Sequence, residues 1–205
     1  MESFCGGHPR RPRVAAMTVE ERIRRLEQQK GMVLATVQGW PAELLAARPA
    51  DGGWTGLEVL DHLVRTESGI CGVVARGLAT PQRISLRDRV GFLFVERVFL
   101  SRRRVKVPAS VEEFILPGEG LELEEIAARW ERARIALARV ACEAEGCRGG
   151  VFRHPVSGWM NFEQVLRLFS AHLVHHEYQL ERIEKLAQIE GRGAPVRHQI
   201  RSMER

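Results

Sequence analysis

The chain has 205 residues, 44% hydrophobic and 28% charged, a composition of globular rather than disordered proteins and a length that can bury a sizeable core. Its formal charge is +5, but residues 1–16 carry +2 and residues 192–205 carry +3, so everything between them is neutral. That placement argues against a nucleic-acid-binding core, and no apolar run approaches the ~20 residues of a membrane-spanning helix.

Both termini are rich in Gly, Pro and Arg and lack periodicity, so 1–16 and 192–205 are expected to be disordered basic tails around a domain at 17–191. The first stretch, MESFCGGHPRRPRVAAM, has no apolar segment of the secretory kind. Cys5, Cys71, Cys142 and Cys147 show no paired spacing for a disulfide framework or a zinc knuckle. A reducing, cytoplasmic setting is therefore expected.

In chain order, Thr18 and Glu21 have the form of a capping box. Ile23, Leu26, Val33 and Val37 then keep a helical period to about Gly39, and Pro41 opens a short further turn. The loop RPADGGW follows, and Thr55 with Glu58 forms a second capping box that opens a helix to about Gly77. A third helix runs from about Leu121 to near Gly146, with Ile126, Trp130, Ala133, Leu137 and Val140 on one stripe. After the loop CRGGVFRHPVSGWM, Asn161 and Gln164 start a last helix that ends at Gly191. Four long amphipathic helices without strand alternation predict an all-α four-helix bundle.

The link between the second and third of these helices is long. Residues 82–108 hold eight Arg or Lys against two acids, whereas 110–147 hold nine Glu against four Arg. This apolar and basic stretch reads as a long crossover, so a simple up-down-up-down order is not assured.

The last helix contains SAHLVHHEYQL, with three of the chain's seven histidines in five residues. Phe162, Val165, Phe169, Leu180 and Ile183 define its apolar stripe, and His172 and His176 fill the slots between. Residues four apart on a helix have Cβ atoms ~5–6 Å from each other, close enough for two imidazoles to reach one ion. His175 lies about 100° around from His176, on the flank. In the second helix Val59, Leu63, Ile70 and Val73 mark one side, and His62 falls on it. Three neutral nitrogen donors on converging faces leave at least one coordination position open, the pattern of a catalytic rather than a structural metal site. The competing reading is a metal-free polar cluster, since an HxxxH pair alone is a weak signal. Haem ligation has no attachment motif in its favour.

The blocks GGWTGLEVLDHLVRTE, HPVSGW and NFEQVLRLFSAHLVHHEYQLERI together resemble the DinB/YfiT-like superfamily of metalloenzymes. They supply a Trp-Ser/Thr start to the second helix with a His seven or eight residues on, an HP…G turn, and an H-x-x-H-H-x-x-Q run. The resemblance covers about residues 18–190, with Thr55 in the Ser/Thr place. It implies a four-helix bundle with a long crossover, a homodimer, and a three-histidine site for zinc, nickel or a similar divalent ion. By position the ligands it implies are His62, His172 and His176. It also implies a metal-dependent enzyme, either a hydrolase or a transferase or isomerase using a low-molecular-weight thiol. The basic 82–108 stretch and both tails depart from the family pattern.

Gln179 shares the face of His172 and His176 and is a candidate catalytic or orienting group, with plain packing as the alternative. Glu58, one turn before His62, is a candidate base or orienting group beside its capping role. Trp54 and Trp159 could wall a pocket or staple helix starts. His154 is expected to make a loop hydrogen bond. A competing function is an interaction module that binds nucleic acid or an anionic surface through 82–108, where Arg102-Arg103-Arg104 cluster.

Overall fold

A computed structural model describes residues 17–50, 52–101 and 115–189. The expected basic tails, the arginine cluster at 102–104 and the expected helix end at Gly191 lie outside those residues. Helix α1 (Val19–Gln38) opens on the expected capping box. The Thr18 N–H donates to the Glu21 carboxylate at 2.7 Å, and the Glu21 N–H donates to the Thr18 hydroxyl at 3.2 Å. Pro41 then precedes the short α2 (Ala42–Ala46). Helix α3 (Gly56–Gly77) begins with the same reciprocal pair between Thr55 and Glu58, at 2.8 and 3.1 Å. Each such cap satisfies backbone donors that a helix start leaves orphaned.

The expected crossover contains a helix. α4 (Leu86–Phe99) starts on a third capping box, Ser85 with Asp88, and buries Phe92 and Val95. α5 (Leu123–Glu143) buries all of the predicted stripe from Ile126 to Val140. A small antiparallel hairpin follows, β1 (Phe152–His154) paired with β2 (Gly158–Met160), where the sequence had suggested only a loop. Finally α6 (Phe162–Ile189) opens on reciprocal bonds between Asn161 and Gln164 at 3.0 and 2.9 Å. The class is mainly all-α, as the periodicity predicts.

The main helix contacts run α1–α6, α6–α3, α3–α5 and α5–α1, closing a ring of four long helices. α1 and α3 therefore lie across a diagonal, while the two histidine-bearing helices α3 and α6 are neighbours. α4 lies outside this ring, packed on α6 and on β2. Its Asp88 accepts from the Trp159 N–H at 3.1 Å, and Arg167 of α6 pairs with its Glu96, Nε to Oε1 at 2.8 Å. The end of α3 approaches the hairpin backbone so closely that a Cβ on Gly77 would stand 2.0 Å from the Val151 carbonyl oxygen. One detail of the predicted α3 face differs: Val73 is exposed, and Cys71 and Val74 take the buried positions.

The core carries ionic groups as well as apolar ones. Glu67 of α3 is buried, accepts from the Trp130 indole N–H at 2.9 Å and pairs with buried Arg134 at 2.9 Å, so it bolts α3 to α5. Burial pushes its carboxyl above the usual range, against the pull of the Arg134 charge. Lys30 of α1 reaches Glu131 of α5 at 2.6 Å.

Candidate metal site

His62 stands in the second turn of α3, between Val59 and Leu63, which are both fully buried. His172 and His176 stand one turn apart on α6, between Phe169 and Leu180. Packing α3 beside α6 turns the three rings toward one point. The Nε2 atoms of His62 and His172 are 3.1 Å apart, and those of His176 and His172 are 3.0 Å apart. One ligand atom from each ring lies within 4.8 Å of the others.

The outer nitrogens set the tautomers. His62 Nδ1 lies 2.7 Å from the Ile115 carbonyl oxygen, which can only accept, so this nitrogen carries the hydrogen. His176 Nδ1 lies 2.9 Å from Gln179 Oε1, which fixes it in the same way. Both Nε2 lone pairs then face His172 Nε2. A single N–H on His172 can satisfy one of them and leaves the other opposed. A cation among the three removes that conflict, because each ring then offers it a lone pair. Tetrahedral zinc with Zn–N of ~2.0–2.1 Å needs nitrogens about 3.3–3.4 Å apart, and two of the distances here are a few tenths shorter. The donor set fits a divalent ion of the zinc or nickel kind, which takes imidazole readily.

The electrostatics agree with that fit. Burial lowers the His62 pKa to about 4, and it holds His172 and His176 well below the ordinary imidazole value, helped by the neighbouring rings. All three are neutral near pH 7, the form in which imidazole binds metal.

Aromatic side chains flank the cluster. The Trp54 ring lies 4.7 Å from that of His62 and stacks at 6.3 Å on His176. Phe99, at the end of α4, meets His172 edge-on at 5.2 Å and His175 at 5.7 Å. His175 itself turns aside, bonding to backbone at Phe99 and Ser101.

The other sequence candidates are placed as follows. Gln179 touches the cluster only through His176, by its 2.9 Å bond to Nδ1. The Glu58 carboxylate is engaged by the Thr55 N–H and by Arg48. His154 Nδ1 accepts from the N–H groups of Val156 and Ser157 at 3.2 and 3.3 Å, a loop role. Trp159 sits in β2, and its N–H bonds Asp88.

Three contributors escaped the sequence reading. The Ile115 carbonyl is a backbone group and leaves no residue signature. Phe99 reaches the rings only because α4 packs on α6. Asp61, next to His62, is fully buried and ties together Arg65, Arg129 and the Gly118 N–H at 2.7, 2.7 and 2.8 Å. Burial opposes its charge, but these three donors together hold its carboxyl below the usual range. The ties pin the 115–118 segment whose carbonyl orients His62.

Comparison with curated proteins and with solved structures gave no match. The model of the DinB superfamily matches residues 25–180, a span that includes all three histidines and most of the bundle. The chain therefore belongs to the DinB superfamily.

Proposed function

We propose that the protein is a divalent-metal-dependent enzyme whose ion is held by His62, His172 and His176. The observation that carries this reading is the convergence of three buried, neutral imidazoles, two of them locked by outer hydrogen bonds with their lone pairs turned inward. A bound divalent ion with an open position would lower the pKa of water or a thiol, supplying a nucleophile near neutral pH. The chain's own groups do the rest. Ile115 and Gln179 hold two rings in the tautomer that offers Nε2. Trp54 and Phe99 supply apolar flanks that limit water around the rings. Hydrolysis would use such an activated water, and thiol transfer such an activated thiol, as the nucleophile.

The test is elemental analysis of the purified protein, with about one divalent ion per chain expected, and none in His172→Ala. Protein prepared near pH 7.5 that holds no ion and takes up none from added zinc or nickel would refute the reading. A panel of thiols with electrophilic substrates, run beside ester and amide substrates, separates the two chemistries.

A further inference from the structure

We infer that the outer face of α4 is a docking surface for an anionic lipid bilayer. This inference is independent of the metal site. α4 lies outside the four-helix ring, and its inner side is covered by α6 and β2. On its outer side Leu86, Val90, Leu93, Phe94 and the capping Leu100 are 77%, 60%, 56%, 62% and 50% exposed. Eleven large hydrophobic residues are exposed among the described residues, and these five fall within fifteen positions of one another. At the helical period they form one stripe about 120° wide.

The exposed charges around the stripe are all of one sign. Arg87 and Arg89 edge it on opposite sides, and Arg97 lies within it one turn from Leu93; all three are exposed. Both of the helix's acids are already engaged: Asp88 caps the helix and meets Trp159, and Glu96, on the flank beside Arg89, pairs with Arg167. An apolar stripe with arginine borders and no exposed acid is the pattern of a helix lying at a membrane interface, its arginines reaching headgroup phosphates.

Charge decides among the other occupants. A two-fold dimer through this face would bring one arginine-bearing face against another, with no exposed acid on α4 to answer it. The stretches 1–16, 102–114 and 190–205 are each net basic in sequence, so charge opposes their covering it. Nucleic acid would answer the arginines but would press phosphates onto Phe94 and Val90.

Flotation of the full chain with vesicles tests this. Phosphatidylcholine vesicles containing about one third phosphatidylglycerol should carry the protein, and pure phosphatidylcholine should not. Phe94→Ser with Leu93→Ser should abolish binding, and Arg87→Ala with Arg89→Ala should weaken it about tenfold or more, with helicity and metal content unchanged. These side chains point outward, so neither pair disturbs the core. Absence of flotation, or equal flotation on neutral vesicles, overturns the inference. So does a dimer in sedimentation velocity that Phe94→Ser dissolves, which would give the face to a second copy. DNA binding that vesicles do not compete away overturns it as well.

Discussion

Gln179 and His176, three positions apart on α6, are joined by a 2.9 Å hydrogen bond from the ring Nδ1–H to the amide oxygen. If the histidines hold an ion, this bond keeps Nε2 free for it. Gln179→Leu should lower metal affinity about 10–100-fold, as loss of such an outer partner does. Gln179→Glu keeps an acceptor and should restore most of it. Competition with a chromophoric chelator reads both, and an unchanged affinity in Gln179→Leu would reduce the residue to packing.

Metal should also stabilise the fold. At a free concentration of ~100 Kd, zinc or nickel adds about 2.7 kcal/mol, which for a chain of this size raises Tm by several degrees. His172→Ala, which removes the ring between the other two, should abolish that metal-dependent rise. Differential scanning calorimetry with and without ion checks it.

The metal-free protein should be acid-sensitive in a defined window. His62 titrates near 4 when folded and near 6.5 when unfolded, so between these values the unfolded chain binds the extra proton. Stability therefore rises with pH across the window, is complete above about 6.5, and falls as pH drops toward 4. His62 alone contributes about 3 kcal/mol over that range, and His172 and His176 shift in the same direction. Urea unfolding of the apo protein at pH 7.5, 6 and 5 measures the slope. Equal stability at all three would show that the rings are solvated.

The Glu67–Arg134 pair offers a test of the core. Arg134→Leu leaves a buried carboxylate without its cation and should cost about 3–5 kcal/mol at pH 7. Glu67→Gln keeps an acceptor for the Trp130 N–H and removes the charge, and should cost less. Chemical denaturation that ranks the two the other way would mean water reaches the pair.

The helices were legible where local signals agreed. At Thr18, Thr55 and Asn161 a cap, its partner three residues on and an apolar period all point the same way, and each opens a helix. α4 carries a comparable start in Ser85 and Asp88, yet its outward stripe of Leu86, Val90 and Phe94 blurs the contrast between an apolar and a polar face. Its residues therefore read as one mixed segment. The hairpin was hidden for another reason. Its strands have three residues each, too few for alternation to show, and Gly158 at a φ of 82° makes the turn that pairs them.

At the site, local sequence determined which side chains share a helical face, because a fixed 3.6-residue period puts His172 over His176 and His62 beside Val59. It determined the caps for the same reason: their partners are three residues away. What only the tertiary structure decided is how near His62 comes to the other two, which carbonyl locks its ring, and which aromatic rings flank it. Ile115 and Phe99 lie 53 and 37 positions beyond His62, and no local rule acts over such separations. Those contacts follow from how α3, α4 and α6 bury their apolar faces, which is a property of the packed chain as a whole.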